Sequence, residues 1–125
     1  MQAKKTTKKA PQTSLQLAKL AAKFASEKKA EDVTVLDMRT VANFCDFFVI
    51  ASATSTRHAQ SIAEAVIEGF AGEGSKVKRK EGFQEGVWVL VDFGSIVVHV
   101  FEKETREFYS LDHLWQDAKV VKFKH

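Results

Sequence analysis

The chain has 125 residues, of which 45% are hydrophobic and 28% are charged; this fits one compact domain and is too short for two independent cores. No apolar run approaches the roughly 20 residues that a membrane helix needs. The single cysteine, Cys45, excludes an internal disulfide and a cysteine-based zinc site, and the N-terminus lacks the apolar core of a secretory signal. We therefore expect a protein of the reducing cytoplasm with no membrane partner.

The charge is distributed unevenly along the chain. The net charge is +3, but residues 1–12 hold four lysines and no acid, which leaves 15 basic and 16 acidic residues in the remainder. The sequence therefore predicts a disordered lysine-rich tail over residues 1–12 and a single, nearly neutral domain over residues 13–125. The tail either attracts RNA phosphates through counterion release or is a solubilising extension, and the pattern leaves both interpretations open.

The first part of the domain predicts one helix and two strands. Apolar residues recur at helical spacing from Ser14 to about Lys29, with Thr13 or Ser14 as the N-cap. The predicted buried stripe consists of Leu17, Leu20, Ala21, Phe24 and Ala25. Residues 32–39 alternate in the manner of a strand, and the continuous apolar run at residues 47–51 is typical of a central strand that is covered on both faces.

A second helix follows a segment rich in hydroxyl side chains at residues 53–58. Its predicted buried stripe is Ala59, Ile62, Ala63, Val66 and Phe70. Gly72 and Gly74 predict its end. Residues 75–86 are polar and basic, which favours a short edge strand and a loop.

The last part predicts a β-hairpin and short terminal helices. Two apolar runs, residues 87–93 and 96–101, flank Gly94, which supplies the positive φ that a tight turn needs. Residues 103–116 are mixed polar and aromatic and predict one or two short helices that pack on the sheet. The fold class that follows is α/β, a mixed β-sheet flanked by helices.

Carboxylate spacing bears on metal-dependent chemistry. A nucleotidyl or phosphoryl transferase needs two carboxylates two residues apart on a strand, because this spacing places both on one face. The nearest match is Glu102 and Glu104, at a strand end among other charges, where a solvated turn is favoured. A metal-dependent, nucleotidyltransferase-like enzyme that uses Asp92 with Glu102 or Glu104 stays the alternative hypothesis.

Other catalytic signals are weak. Cys45 lies between an aromatic and an acidic residue, which favours a packed thiol over a nucleophile. The six glycines do not have the spacing of a phosphate-binding loop. Residues 55–58 can bind an anion at a helix N-terminus, but capping explains the hydroxyls. We expect no metal and no cofactor.

The predicted hairpin is apolar on both alternating residue sets, so either both faces are covered inside the domain or one contacts another molecule. Trp88 is the aromatic best placed to anchor such an interface, and the pattern leaves core and interface open. His99 shares a face with Val97 and Phe101, which is typical of a histidine held by one hydrogen bond. A homodimer that hides this face is a further alternative.

Several strings within residues 14–117 carry a family resemblance. They are ATSTRH at 53–58, EG at 81–82, WVLVDFG at 88–94, VVHVF at 97–101, YSL at 109–111 and LW at 114–115. In order and spacing they resemble the ribosomal silencing factor, or Iojap-like, family. Each string is weak evidence by itself, but their common register argues against a chance match.

The resemblance implies a fold similar to nucleotidyltransferases but without their catalytic carboxylates, and a function that is not enzymatic. Members of the family bind large-subunit protein fourteen on the large ribosomal subunit and block the small subunit from joining, which represses translation when nutrients are short. Carried over through the W-x-x-x-D-x-G string and its neighbours, the partner contact falls on Trp88, Asp92, Phe93, Gly94, His99 and Tyr109. Ser95 departs from the acidic residue that often follows the glycine in the family.

Overall fold

The computed structural model describes residues 13–109 and 118–121, without the side chains of 107–109. The elements in chain order are α1 (Ser14–Glu27), β1 (Glu31–Asp37), β2 (Phe47–Ala53), α2 (Thr56–Gly72), β3 (Arg79–Glu81), β4 (Trp88–Asp92), β5 (Ile96–Glu102), α3 (Lys103–Tyr109) and β6 (Lys119–Val121). The predicted tail at 1–12 and most of the predicted terminal helical segment lie outside the described residues. Within the described part, no helix is long and apolar enough to cross a membrane.

The strands form one mixed six-stranded sheet in the order β3-β4-β5-β2-β1-β6. β2 and β5 are parallel, and the other neighbouring pairs are antiparallel. Every residue of β2 is buried, which confirms the prediction of a central strand covered on both faces. The predicted α/β class with a mixed, helix-flanked sheet is likewise confirmed.

Helix α1 begins with a capping box. The Thr13 hydroxyl accepts a hydrogen bond from the Gln16 backbone N–H, and the Gln16 side chain accepts one from the Thr13 N–H. The fully buried residues are Ala18, Ala21, Ala22 and Ala25, while the larger apolar side chains flank them and are half-buried. The predicted stripe was therefore shifted, because small alanines allow the helix backbone to lie close to the sheet.

Helix α2 buries Ala59, Ile62, Ala63, Val66 and Phe70, which confirms the predicted stripe. Ser55 caps its N-terminus by accepting from the His58 backbone N–H, as capping alone predicts. The ring of Phe24 on α1 covers Gly69, where a Cβ would overlap it. A glycine inside this helix therefore allows α1 and α2 to pack side by side on the same face of the sheet.

The two faces of the sheet form two separate hydrophobic clusters. On the helix-covered face, α1 and α2 pack against alternate residues of β2, β4 and β5. On the second face, the described residues form a smaller cluster around Phe48, Ile50 and Phe101. Of the described helices, α3 lies on this second face, where Arg106 donates to the Ser52 hydroxyl at 2.8 Å.

Strand β6 was not predicted from the sequence. It has three residues, two of them exposed, and pairs antiparallel with the end of β1. A segment this short has no alternation to detect, so its conformation follows from pairing with an available sheet edge. β3 is equally short and fully exposed, and it agrees with the predicted basic edge strand.

Candidate functional site

The second face of the sheet carries a hollow at its β3-β4-β5 end. Its volume is about 400 Å³, and we call it the open hollow. It is lined by Phe44, Phe48, Arg79, Leu90, Asp92, Val97 and His99. Strand alternation brings these side chains together, because Leu90 pairs with His99 and Asp92 pairs with Val97 across β4 and β5. The lining is therefore mainly apolar, with an acidic and a basic side chain.

An aromatic group extends the open hollow along the same face. Trp88 is half-buried and donates its indole N–H to Nδ1 of His99 at 3.1 Å. The centroid of its ring lies 4.8 Å from the centroid of the Phe101 ring. The ring of Phe48 meets His99 edge to face at 4.5 Å. Trp88 thus packs partly against the core and is partly exposed on this face.

Asp92 and Gly94 shape the turn at the end of the hairpin. One Asp92 carboxylate oxygen accepts a hydrogen bond from the Gly94 backbone N–H at 2.8 Å, and the other lies 3.9 Å from Nη2 of Arg79. Gly94 has a φ of +98°, and a Cβ there would lie 3.0 Å from the Lys78 side chain. Both residues therefore hold the turn beside the open hollow.

Phe93 and Tyr109 are not brought together with Trp88 by the described structure. The Phe93 side chain is buried on the helix-covered face, with its ring 4.4 Å from that of Phe70. Tyr109 ends helix α3, but its side chain lies outside the described part. Trp88, Asp92 and His99 share the second face, with Gly94 at its edge.

The carboxylates of the enzyme hypothesis are far apart. Asp92 pairs with Val97, and Glu102 follows five residues later on β5, so the two are about 16 Å apart along the strand. Glu102 accepts hydrogen bonds from Thr105 at the start of α3. Among the described residues, no group of three or more His, Cys, Asp and Glu side chains is placed to hold a metal ion. The geometry therefore gives no support to a metal site on this pair.

The family assignment follows from comparison with known proteins. The model of the family described as ribosomal silencing factor during starvation, RsfS, matches residues 11–125. The chain belongs to the ribosomal silencing factor family. The ribosomal silencing factor RsfS of Bacillus subtilis is 42% identical over 103 residues, which covers 82% of this chain and 87% of the relative.

A solved structure and a more distant relative are also similar to this chain. A crystal structure from Bacillus halodurans matches with a TM-score of 0.78 at 37% identity, covering 87% of this chain and 99% of that chain. A mouse protein named mitochondrial assembly of ribosomal large subunit protein 1 is 34% identical over 92 residues, 71% of this chain and 40% of its own length. The family resemblance read from the sequence is therefore confirmed.

Two residues that line the open hollow were not predicted from the sequence. Phe44 lies in the β1–β2 connection and is 58% exposed, and Arg79 lies on edge strand β3. Phe44 had no periodic signal because it belongs to no regular element. Cys45 beside it is a buried thiol whose pKa burial raises to about 11, so the prediction of a packed thiol is confirmed.

His99 is held as a neutral ring. It is 4% exposed, and burial lowers its pKa from 6.5 to about 4. Because Nδ1 accepts from Trp88, the proton of the neutral ring lies on Nε2. That buried atom has no hydrogen-bond partner among the residues described, and an unsatisfied buried donor costs about 1–3 kcal/mol.

Acid is expected to destabilise the fold through His99. The unfolded chain takes up a proton near pH 6.5, whereas the folded chain does so only near pH 4. Between these values the unfolded state holds more protons, so the free energy of unfolding falls as the pH falls, by on the order of 3 kcal/mol in total. Urea unfolding at pH 7 and pH 5 measures the part of this loss that falls between those values, about 2 kcal/mol.

The control for this pH dependence is His99→Gln, which cannot titrate in this range. The variant should lose less stability than the wild type between pH 7 and pH 5, because glutamine takes up no proton in this range. Its other ionisable groups are those of the wild type, so the difference between the two proteins reports on His99. Equal losses in the two proteins would show that His99 does not govern the acid sensitivity.

Proposed function

We propose that this protein binds large-subunit protein fourteen on the large ribosomal subunit, prevents the small subunit from joining by steric occlusion, and so represses translation. The family membership supports the ribosomal role. The mouse relative, named for assembly of the ribosomal large subunit, supports the choice of that subunit. The observation that carries the proposal is the open hollow, an apolar and aromatic depression on a sheet face, at the edge of which Trp88 is half-buried.

The chemistry of the face favours a protein partner. A contact surface on a protein is typically enriched in aromatic residues and depleted of charges at its centre. The lining of the open hollow is mainly apolar and aromatic, and its charged side chains are one cation, Arg79, and one acid, Asp92. RNA backbone recognition instead needs several cations directed at phosphates. We therefore propose a protein surface as the direct contact of the hollow.

The proposed contact residues differ in how they act. Trp88 and His99 lie on the second face and contact the partner through their side chains or support those that do. Asp92 and Gly94 hold the adjacent turn. Phe93 acts from the helix-covered face by anchoring the hairpin in the core. Tyr109 is kept in the proposal from the family string alone.

The proposal also covers the cellular location of the protein and the role of residues 1–12. We propose a cytoplasmic protein whose lysine-rich residues 1–12 add attraction to nearby rRNA. The mechanism is occupation of a surface, so it requires no bond-making step.

A homodimer formed through the same face would compete with the ribosome for that face. Sedimentation at several protein concentrations detects such a dimer.

The direct test is binding to isolated ribosomal components. The purified full chain is mixed with large subunits, small subunits or isolated protein fourteen, and co-sedimentation and calorimetry measure the binding. We expect binding to large subunits and to protein fourteen, and none to small subunits. Absence of binding to protein fourteen would contradict the proposed partner, whereas magnesium-dependent nucleotide binding would favour the enzyme hypothesis.

A further inference from the structure

The segment that leads into edge strand β3 carries a concentrated positive charge. Residues 76–80 hold three lysines and one arginine and no acid, whereas residues 13–125 as a whole hold 15 basic and 16 acidic residues. Lys76, Lys78 and Lys80 are all exposed, and we call these three side chains the lysine edge. A local excess of cations in a nearly neutral domain is typical of a surface that meets an anionic partner.

The charges of the lysine edge are not neutralised by neighbouring acids. Glu81 and Asp92 both approach Arg79, with nitrogen–oxygen distances of 3.4 Å and 3.9 Å. In the described part of the chain, none of the three lysines takes part in an ion pair. The ammonium group of Lys80 lies 4.3 Å from the centroid of the Phe83 ring, a contact that leaves its positive charge in place. All three charges are therefore available to a partner.

Protection of the sheet edge explains only part of this pattern. A lysine within an exposed edge strand discourages pairing of that strand with another chain, and Lys80 lies within β3. Lys76 and Lys78 precede the strand, which begins at Arg79. Edge protection thus leaves two of the three lysines unaccounted for.

The lysine edge borders the open hollow. Arg79, which lies between two of its lysines, lines the hollow, and the side chain of Lys78 lies close to Gly94 at the turn beside it. A partner that fills the hollow therefore brings its own surroundings next to the lysines. On a large ribosomal subunit the surroundings of a ribosomal protein include rRNA, in which every phosphate carries a negative charge.

We propose that Lys76, Lys78 and Lys80 contact the phosphate backbone of rRNA when the open hollow is docked on its protein partner. This inference rests on the proposed function, because it adds a second contact to the docking on large subunits. Lysine acts on a phosphate as a point charge on a flexible stem, so it needs no fixed geometry. The contact adds affinity through counterion release and is independent of the RNA sequence.

The test compares intact large subunits with isolated protein fourteen over a range of salt concentrations. The slope of log K against log salt measures the number of phosphate contacts. The triple variant Lys76→Gln, Lys78→Gln, Lys80→Gln removes three charges and keeps part of each aliphatic stem. We expect it to bind large subunits about tenfold more weakly than the wild type, with a slope smaller by about 2. Its affinity for isolated protein fourteen should stay within about twofold of the wild type.

The matched control is the triple variant Lys19→Gln, Lys23→Gln, Lys28→Gln, which removes three exposed charges along and just after α1. It should bind both partners as the wild type does. Equal losses in the two variants, or an unchanged slope for the lysine edge variant, would overturn the inference. An equal loss with isolated protein fourteen would assign the lysines to a protein contact and overturn it too. Absence of wild-type binding to protein fourteen would overturn the proposed function and the inference with it.

Discussion

Trp88→Ala is expected to weaken binding to large ribosomal subunits by a factor of about 30 or more. Truncation of a large aromatic residue that anchors an interface costs about 2 kcal/mol or more. The indole also packs on Phe101 and donates to His99. We therefore expect a loss of about 2–3 kcal/mol in the free energy of unfolding, which a stable domain tolerates. Calorimetry measures the first effect and chemical denaturation the second.

Val120→Ala is the matched control for this variant. Val120 is an apolar side chain, 66% exposed, on strand β6 at the opposite edge of the sheet. Its truncation should leave both affinity and stability close to wild type. Unchanged binding by a folded Trp88→Ala protein would remove Trp88 from the contact surface. An equal loss in both variants would point to a general effect of removing exposed apolar surface.

Phe70→Ala should destabilise the fold more than Trp88→Ala does. Phe70 is fully buried, and its ring lies 4.4 Å from that of Phe93 and 6.0 Å from that of Phe24. Removing a buried phenyl ring costs about 3–5 kcal/mol, because it combines lost burial with a cavity between α1, α2 and the sheet. Urea denaturation of the purified variant measures this loss.

The same chemical change on the other face should separate folding from binding. Phe44→Ala removes a ring that is 58% exposed at the rim of the open hollow. We expect its free energy of unfolding to change by less than about 1 kcal/mol, while affinity for large subunits falls about tenfold. If Phe44→Ala binds normally, the rim is not part of the contact. If it unfolds as readily as Phe70→Ala, the two faces are not energetically distinct.

Much of the fold was predictable where one periodic signal dominates. Helix α2 has a single apolar stripe and ends at Gly72, and the structure buries the predicted residues. The hairpin combines two apolar runs with Gly94 at the one position that needs a positive φ. In both elements the local preference and the tertiary packing agree, which is why sequence patterns suffice there.

Other features depend on packing that no local pattern contains. The close approach of α1 selects an alanine stripe, and Phe24 lies over Gly69 on the neighbouring helix. Neither contact is visible until the two helices are placed side by side. Strand β6 forms because its residues pair with the edge of β1.

The candidate site was partly predictable. Trp88 and Asp92 are separated by an even number of residues and share a face, as the strand period requires. Phe93 follows Trp88 at an odd separation, so the same period already separates its side chain from that face. Phe44 could not be predicted, because a residue in a connection comes near the hollow only through the tertiary fold.

Steric occlusion requires that the bound protein occupies the surface on which the small subunit joins. The most direct measurement is light scattering during subunit joining, with large subunits first incubated with the protein and small subunits added afterwards. We predict that joining falls in proportion to the fraction of large subunits bound, and that Trp88→Ala leaves joining unaffected at the same concentration. Normal joining while the protein remains bound to the large subunit would contradict this mechanism.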